Sequence, residues 1–541
     1  MGKVEGTASL WTADPPAVSL DETVGQLLAR QAAAAPDAPA LHWLADDDAL
    51  VTWTYRDLHT RTAKLAHSIR AAIAPGGRVA VCAPNSLDWV VAFYAAAQVG
   101  ATFVPVNPAM GAFELEQILT LTAPDLVLGT ESYRGIALGD RLGAIVDRLD
   151  RPVRLAPLAA FVAGGLAHVP DTDVAGDSSA PVLVQYTSGT SGRPKGAVIT
   201  QAAAVNIAAN FVHGWGHGPD DVLAGPLPLH HVAGTIGGLI ANLTVGASFA
   251  FLPAYEPTAV IRLLEATGAT VLAAVPTMLF DLQRQPGFDP RRLSTLRVVL
   301  GGAAAVPEST VRDIEATFGV EFLVAYGQTE SVGIAQTAPG DPPDVKARTI
   351  GRPNPGREVK IADPETSEPV PVGTVGEICQ RSSQQMTHYL DMPEATAATI
   401  DDDGWLHTGD LGSMDDAGNI TFRGRVRDVI IRGGENIYPE QIENAYADAP
   451  GIAAIAVVGG PDERWGEVPV GVVVLVPGAR LDERALEDHG RQRLAGFQVP
   501  RSWVVVDELP LTASGKVRKV ELEGSVRELL ANRVVTSRRG V

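Results

Sequence analysis

The sequence predicts an α/β protein with a large N-terminal domain of parallel sheets covered by helices and a smaller α+β domain after it. Its 541 residues exceed what one hydrophobic core usually organises, so two or more domains are expected. Short β-branched apolar runs alternate with helical patterns, which is typical of βαβ units. Near Gly424 this alternation of strand and helix patterns ends. A basic, glycine-containing connector follows over 423–434, and then a shorter α+β pattern.

The predicted elements follow one another along the chain. The first unit is a strand over 78–82, a helix over 86–99 and a strand over 101–106. The same strand–helix–strand pattern recurs twice. The first recurrence covers 248–252, 258–267 and 270–275, and the second covers 296–300, 308–318 and 321–326. In the tail we expect helices near 439–446 and over 482–494, and strands near 453–458 and 470–476. Binding residues are expected at the carboxyl ends of the parallel strands.

Composition excludes several classes of function. The formal net charge of −20 disfavours nucleic acid as a partner, because phosphate backbones need clustered Lys and Arg. Cys82 and Cys379 lie far apart, without zinc-type spacing, so we expect neither a zinc site nor a disulfide framework. Residues 1–16 lack a secretory pattern, and we expect a cytoplasmic protein.

One stretch, 222–255, has no charged residue and is long enough to span a bilayer. It contains prolines, two histidines, an asparagine and several glycines. A buried strand, helix and strand therefore fit better than a membrane span.

A glycine-rich loop follows the predicted strand over 181–186. Its glycines allow a positive φ, its hydroxyls add hydrogen-bond donors and its lysine supplies charge, so the loop is suited to a polyphosphate. The residues concerned are Thr187, Ser188, Gly189, Thr190, Ser191, Gly192 and Lys195. Pro194 and Gly196 flank the lysine, which is not the Walker A arrangement of kinases and GTPases. A solvated Gly/Ser turn is the alternative.

This loop resembles the signature of the adenylate-forming superfamily, which comprises acyl-CoA synthetases, peptide-synthetase adenylation domains and firefly luciferases. Later segments resemble further motifs of that family, in the family's order. They are Tyr326-Gly327-Gln328-Thr329-Glu330, Trp405-Leu406-His407-Thr408-Gly409-Asp410, Gly424-Arg425-Val426-Arg427-Asp428 and Pro510-Leu511-Thr512-Ala513-Ser514-Gly515-Lys516. The resemblance covers essentially the whole chain.

The resemblance implies a role for each matching residue around ATP. Tyr326 would stack on adenine, with Gly327 and Gln328 beside it. Thr329 would touch the phosphate or the carboxylate, and Glu330 would hold Mg²⁺, which takes few carboxylates and shares its shell with phosphate oxygens. The backbone lining adenine would be Gly302, Ala303 and Ala304.

The same resemblance assigns the ribose and the adenylation step. Asp410 would accept from both ribose hydroxyls, and Arg425 would reach the same ribose. Lys516 would enter the site during adenylation, because a carboxylate and an α-phosphate repel each other and need a cation between them.

The resemblance also implies the domain organisation. Residues 1–426 would form the N-terminal adenylate-forming domain with the acyl and ATP sites, and 427–541 a small mobile α+β lid. The hinge would lie near Arg427, with the active site between the domains.

The acid is expected to be bulky, aromatic or long-chain, and not an amino acid. Amino-acid-activating relatives place an Asp where this chain reads 227–234 without any carboxylate. By similarity His231 lies at the acyl entrance, and the adjacent pair His230–His231 does not have metal-site spacing. The pocket-lining residues by similarity are His231, Gly234, Thr235, Gly301, Ser331, Val332, Gly333 and Ile334. The segments that contain these residues are rich in small side chains, which would leave volume for the acid, although the glycines could equally serve close helix packing.

The acceptor is expected to be the thiol of coenzyme A. The segment Gly433-Gly434-Glu435 resembles the tunnel loop of CoA ligases, although loading of a carrier protein would use the same tunnel. Two residues depart from the family pattern: Arg427 replaces the usual Asp or Lys at the hinge, and His388 replaces a usual Gly before Tyr389.

The sequence thus predicts an ATP-, Mg²⁺- and CoA-dependent acyl-CoA ligase. Three alternatives stay open: a protein efficient in only one half-reaction, a luciferase-like enzyme, and an ATP-binding sensor without catalysis. The oligomeric state is also open, with a homodimer as one alternative.

Overall fold

The computed structural model describes residues 3–12, 15–187, 193–302, 308–432, 435–462, 464–511 and 517–526. These residues form four sheets. Three of them, with seven, nine and six strands, lie in the part of the chain before residue 426, and one with five strands follows it. The chain therefore has a large N-terminal α/β part and a separate C-terminal domain, which confirms the predicted fold class.

The seven- and nine-stranded sheets are parallel at their centres. The nine-stranded sheet is antiparallel at both edges, whereas the seven-stranded sheet is antiparallel at one edge and parallel at the other, where Arg154–Pro157 lies. The strands of the first, in spatial order, are His388–Tyr389, Lys195–Thr200, Pro181–Thr187, Thr102–Val106, Arg78–Cys82, Leu126–Gly129 and Arg154–Pro157. Those of the second are Arg352–Pro353, Ser331–Gln336, Glu321–Gln328, Val298–Gly302, Val271–Ala273, Val222–Ala224, Ser248–Phe251, Pro39–Leu44 and Leu50–Thr54.

The other two sheets were not predicted as units. The six-stranded sheet is antiparallel throughout, with strands Lys3–Val4, Leu10–Thr12, Glu358–Ala362, Gly376–Arg381, Leu406–Met414 and Ile420–Arg425. The five-stranded sheet contains Glu435–Ile437, Ile430–Arg432, Gly466–Leu475, Ile452–Asp462 and Ser502–Val505. The predicted parallel sheets therefore account for only part of the architecture.

Helices cover both faces of the large sheets. The α-helices are Val24–Ala34, Tyr55–Ala72, Leu87–Gln98, Ala112–Thr122, Leu138–Val146, Leu158–Gly165, Gln201–His213, Val232–Gly234, Ala241–Val245, Pro257–Thr267, Pro276–Gln283, Glu308–Phe318, Pro343–Arg348, Pro393–Ala397, Pro439–Ala445 and Glu483–Arg491. A π-helical segment, Thr235–Ile240, joins two of them. Short 3₁₀ turns occupy Pro290–Leu293 and Val426–Asp428.

The largest hydrophobic core joins the two large sheets. It contains residues of both sheets and of the helices Leu87–Gln98 and Gln201–His213, which are buried nearly all round. The side chains of Ser86 and Thr200 cap these helices by accepting from the backbone N–H three residues later. Helices buried on every side explain why this part of the sequence is apolar without a polar face.

The uncharged stretch over 222–255 folds as predicted. It forms the strand Val222–Ala224, a continuous helical segment over 232–245 and the strand Ser248–Phe251. None of the helices formed by the described residues combines the length and apolarity needed to cross a bilayer.

Candidate active site

The phosphate loop begins and ends on a pair of antiparallel strands. Thr187 lies opposite Lys195 in the register of Pro181–Thr187 and Lys195–Thr200. The Lys195 ammonium lies 5.1 Å from the centre of the Tyr389 ring, on the next strand of the same sheet. The loop residues between the strands, Ser188, Gly189, Thr190, Ser191 and Gly192, lie outside the described residues.

The candidate Mg²⁺ ligand stands at the tip of a hairpin. Gln328 pairs with Ser331, so Thr329 and Glu330 form the turn between the strands Glu321–Gln328 and Ser331–Gln336. The Tyr389 hydroxyl donates a hydrogen bond to Glu330 Oε1 at 2.6 Å. This contact fixes one carboxylate oxygen, and a single oriented carboxylate suits a Mg²⁺ ion whose other ligands are phosphate oxygens and water.

Gly327 sits in the same hairpin at an irregularity of the pairing between Tyr326 and Gln328. A Cβ atom at Gly327 would lie 2.5 Å from the Gly333 nitrogen, so no larger residue fits there. The absence of a side chain at Gly327 therefore allows the two strands of the hairpin to approach closely just before the turn.

The ribose motif forms a compact polar group. Asp410 is 7% exposed; its Oδ2 accepts from the Tyr326 hydroxyl at 2.7 Å, and its Oδ1 lies 3.3 Å from Arg425 Nε. Asp410 and Arg425 face each other across the strands Leu406–Met414 and Ile420–Arg425. The structure thus brings together three predicted site residues, of which Tyr326 is far from the other two in the sequence. Their roles at adenine and ribose stay predictions.

Residues behind the ribose motif hold its backbone, and sequence analysis did not identify them. Glu377 Oε1 accepts from the Gly409 N–H at 2.9 Å, and its Oε2 lies 2.8 Å from His407 Nδ1. The Glu377 carboxylate raises the pKa of His407. Cys379 Sγ lies 3.5 Å from the same His407 nitrogen, and burial raises the pKa of its thiol. Because Glu377 contacts both the Gly409 N–H and His407, we interpret this group as support for the motif.

At the predicted acyl entrance one histidine is exposed and its neighbour is half-buried. His231 is exposed and caps the short helix Val232–Gly234, its Nδ1 accepting from the Ala233 N–H at 3.3 Å. Burial and the neighbouring His231 lower the pKa of His230 to about 4. Thr235 is buried and donates to the Leu229 carbonyl at 2.6 Å, so its hydroxyl holds the turn rather than facing a ligand.

Several predicted pocket glycines are required by packing. A Cβ at Gly234 would lie 2.4 Å from the Pro228 carbonyl oxygen, and one at Gly301 would lie 2.6 Å from the Phe322 ring. Gly302 opposes Ala325 in the parallel pair, and a Cβ there would lie 2.6 Å from the Ala325 carbonyl oxygen. At these positions close packing, the alternative reading of the sequence, explains the residue type.

The far side of the predicted pocket is held by a residue that the sequence did not suggest. Arg357 is buried; it donates to the Ser331 hydroxyl at 2.7 Å and to the Val332 carbonyl at 2.6 Å. Burial lowers the pKa of Arg357 to about 9.

The fold also explains two other residues of the predicted pocket. Gly333 has a φ of +65°, which favours glycine, and Ile334 is fully buried in the core of the six-stranded sheet.

The predicted hinge and tunnel belong to the start of the C-terminal domain. Arg427 is exposed in the turn Val426–Asp428, and its Nε lies 3.4 Å from Asp428 Oδ1. The backbone of Glu435 pairs with Arg432. The predicted site residues Ala303, Ala304, Gly433, Gly434 and Lys516 lie outside the described residues.

The structure explains why the family glycine before Tyr389 is dispensable. His388 lies in the strand His388–Tyr389 without a positive φ, and its side chain is exposed and 2.9 Å from the Thr387 hydroxyl. A histidine therefore fits where the sequence alone gave no reason for it.

Family models and individual relatives agree on the class of protein. Residues 28–390 match the model of the AMP-binding enzyme family, and 441–516 match that of the AMP-binding enzyme C-terminal domain. The chain is 36% identical to a 3-[(3aS,4S,7aS)-7a-methyl-1,5-dioxo-octahydro-1H-inden-4-yl]propanoyl:CoA ligase of Rhodococcus jostii, over 88% of this chain and 94% of the relative. It is also 36% identical to a feruloyl-CoA synthase of an Amycolatopsis species, over 87% and 93%.

Solved structures give the same fold. ATP-bound MatB from Rhodopseudomonas palustris is 28% identical and superposes with a TM-score of 0.85, covering 93% of this chain and 99% of that one. Apo MatB from the same organism, at the same coverage and 29% identity, superposes with a TM-score of 0.75. With these matches and the motifs in place, the chain belongs to the AMP-binding enzyme family, within the adenylate-forming superfamily of acyl-CoA synthetases.

Proposed function

We propose that this protein is an AMP-forming acyl-CoA ligase for a bulky, ring-containing or long-chain acid. The observation that carries the proposal is the group Tyr326, Asp410 and Arg425, assembled from two sheets beside the Glu330 turn. Family membership supports the acyl-ligase chemistry, since the relatives are acyl-CoA synthetases and ligases.

In the first half-reaction a carboxylate oxygen of the acid attacks the α-phosphorus of ATP, and pyrophosphate leaves. Asp410 and Arg425 hold the ribose, while the phosphate loop and Lys195 hold the phosphates. Mg²⁺, when bound at Glu330, would offset phosphate charge. Lys516 stands between the two anionic reactants and stabilises the charge that develops as they meet.

In the second half-reaction the thiol of CoA attacks the acyl carbonyl, and AMP leaves. The thiol needs the position that Lys516 held, so the lid turns about Arg427 and brings Gly433 and Gly434 to the adenylate. Residues 1–426 and 427–541 are therefore proposed as the two moving bodies.

The substrate class rests on the absence of charge and on the relatives. The residues over 227–234 contain no carboxylate that could pair with an ammonium group, which disfavours amino acids. The two relatives are named for ring-containing acids. Because packing accounts for several glycines, the size of the acid is better tested at Val332, which is half-buried and has no positive φ.

A panel of acids tests the proposal. Enzyme, ATP, Mg²⁺ and CoA are incubated with acetate, long-chain, aromatic and amino acids, and products are identified by mass spectrometry. We expect acyl-CoA and AMP from bulky uncharged acids, and Val332→Trp should reduce their kcat/KM more than that of small acids. Thioester formation from acetate alone would contradict the substrate class.

The Lys516 variant separates the half-reactions. Lys516→Ala should slow pyrophosphate release by about 10²–10³, the usual effect of removing one charged stabiliser of a transition state. Thioester formation from a synthetic acyl-adenylate should be spared, whereas Gly434→Trp should show the reverse pattern. Equal impairment of both steps in both variants would contradict the alternating lid.

A further inference from the structure

Three side chains that can ligate a metal ion meet behind the ribose motif. The Glu377 carboxylate, the Cys379 thiol and the His407 ring have donor atoms within 4.8 Å of one another. Cys379 Sγ lies 3.5 Å from His407 Nδ1, and Glu377 Oε2 lies 2.8 Å from the same nitrogen. Glu377 and Cys379 are buried, whereas the His407 side chain is 20% exposed. We call these three residues the Cys379 triad.

Two neighbouring strands form the triad. Glu377 and Cys379 are two residues apart in the strand Gly376–Arg381, so their side chains lie on the same face of the six-stranded sheet. Cys379 pairs with His407 and Glu377 pairs with Leu411, so residues 408–410 of the ribose motif lie between the two pairs. Sequence spacing did not indicate this group, because His407 becomes a neighbour of the other two residues only when the strands pair.

The donor atoms suit a zinc ion. Zn²⁺ binds thiolate, imidazole and carboxylate ligands at about 2.0–2.3 Å, usually in a tetrahedron, which places ligand atoms about 3.3–3.6 Å apart. The distance of 3.5 Å between Cys379 and His407 already fits this geometry. The distance of 2.8 Å between Glu377 and His407 is that of a hydrogen bond, and it would open by about 0.5 Å when an ion replaces the ring proton.

The charges of the triad also suit a divalent ion. A bound ion displaces the thiol proton, so the ligands become a carboxylate, a thiolate and a neutral imidazole. The two negative charges balance one Zn²⁺, and no net charge is buried. Mg²⁺ prefers ligand sets made of oxygen atoms, so the Mg²⁺ proposed at Glu330 would compete poorly for a site that contains sulfur and nitrogen.

A second carboxylate orients the histidine. Asp401 Oδ2 lies 3.5 Å from His407 Nε2, the ring nitrogen on the other side from the triad. Histidines that bind metal usually donate their other ring N–H to a carboxylate, which fixes the tautomer and the ring orientation. Asp401 is itself held in place, because its Oδ1 accepts from the Trp405 N–H at 2.8 Å. The fold therefore supplies both the ligands and the supporting carboxylate of a histidine-containing zinc site.

We propose that the Cys379 triad binds one Zn²⁺ ion, with water in the fourth position beside the partly exposed His407. Glu377 uses Oε2 for the ion and keeps Oε1 on the Gly409 N–H, where the contact is 2.9 Å. The ion joins the strands Gly376–Arg381 and Leu406–Met414 directly behind Asp410, and so stiffens the ribose motif.

Cobalt spectroscopy tests the site. The full-length protein is freed of metal with a chelator and titrated with Co²⁺ in the presence of saturating Mg²⁺. We expect one equivalent of Co²⁺ to produce a thiolate-to-metal charge-transfer band in the near ultraviolet and the intense visible bands of a four-coordinate ion. Cys379→Ser should abolish the charge-transfer band. Cys82→Ser is the matched control, because it changes the other cysteine of the chain, and it should keep the band.

Zinc affinity provides a second measurement, by competition with a chromophoric chelator. Asp401→Asn should weaken the affinity by about 10- to 100-fold, the usual effect of removing the partner of a metal-binding histidine. Zn²⁺ in excess of its Kd should raise the melting temperature of the wild type and of Cys82→Ser, but not that of Cys379→Ser. The wild-type spectrum and the Asp401→Asn affinity decide the question even if Cys379→Ser folds poorly, since neither requires that variant.

The inference would be wrong if Co²⁺ gave no thiolate band with the wild type, or if the band survived in Cys379→Ser. Equal zinc affinities of the wild type, Cys379→Ser and Asp401→Asn would assign the binding to other groups. These measurements report metal binding alone, so their outcome is independent of whether the protein forms an acyl-CoA.

Discussion

Asp410 illustrates how a single side chain depends on its partners. The sequence singled it out through a family motif, and the structure shows its carboxylate held by Tyr326 and Arg425. Two partners on different strands fix the rotamer before a ligand arrives. A preorganised acceptor loses less entropy when it binds the ribose hydroxyls.

Replacing Asp410 should therefore weaken ATP binding. Asp410→Asn keeps the shape but removes the charge, and the loss of a charged acceptor corresponds to about 1.5–3 kcal/mol. We expect this loss in the ATP affinity measured by calorimetry. Asp415→Asn, a change in a carboxylate that caps the turn at Asn419, is the control. Unchanged affinity for Asp410→Asn would mean that Asp410 only supports the strand.

Tyr389 orients the predicted Mg²⁺ ligand Glu330, as Tyr326 and Arg425 orient Asp410. Its hydroxyl orients Glu330, and its ring lies beside the Lys195 ammonium. Tyr389→Phe should raise the Mg²⁺ concentration needed for half-maximal pyrophosphate release, by about ten- to a hundredfold for one lost hydrogen bond to a charged group. Tyr255→Phe, which removes a hydroxyl near Asp281 in another region, should leave it unchanged. An equal Mg²⁺ requirement in both variants would contradict the role of Tyr389.

The hairpin Glu321–Gln328 and Ser331–Gln336 shows what one supersecondary element contributes. It supplies Tyr326 to the ribose group, Glu330 to the turn, and the backbone next to the predicted acyl pocket. Its second strand, Ser331–Gln336, is stabilised by Arg357, whose buried guanidinium donates to the Ser331 hydroxyl and the Val332 carbonyl. The geometry of the element thus depends on a residue outside it.

Removing the Arg357 guanidinium should loosen this strand. Arg357→Met keeps much of the volume but leaves a buried carbonyl and hydroxyl without their donor, each worth about 1–3 kcal/mol. We expect a lower free energy of unfolding in urea and a higher KM for the acid, with a smaller change in KM for ATP. Arg357→Lys should restore part of both. A more stable Arg357→Met variant would show that the buried charge costs more than its hydrogen bonds contribute.

The docking of the two domains is a property of the whole molecule. Glu440, in the C-terminal helix Pro439–Ala445, lies among Glu443, Lys519, Asp410 and Arg423. Burial and then Glu443 raise the pKa of Glu440 to about 8, from an ordinary value of 4.5. The main causes of this shift are burial and a neighbour in the same helix.

This shift predicts a pH dependence of stability. Because the pKa of Glu440 is raised in the folded protein, the folded state binds more protons than the unfolded state, and its stability falls as the pH rises from about 4.5 to about 8. Limited proteolysis of the lid should accelerate over this range in the wild type and less in Glu440→Gln. Equal acceleration in both would exclude Glu440 as the titrating group.

The motifs, the enzyme class and the βαβ elements could be read from the sequence, because each depends on residues close together in the chain. The predicted strands and helices around 78–106 and 248–326 are confirmed within a few residues at their ends. Tyr326, Asp410 and Arg425 could be proposed as partners only through the family resemblance. Their actual pairing is a contact across two sheets.

The tertiary structure decided which contacts each residue makes with residues that are far away in the sequence. The supporting roles of Tyr389, Arg357 and Glu377 arise from hydrogen bonds between segments far apart in the chain, which no local pattern encodes. The reason for Gly234 and Gly301 is likewise a close approach of other residues, not open space for a substrate. Local patterns determine elements and motifs because their causes lie within a few residues, whereas packing distances depend on how the whole chain closes on itself.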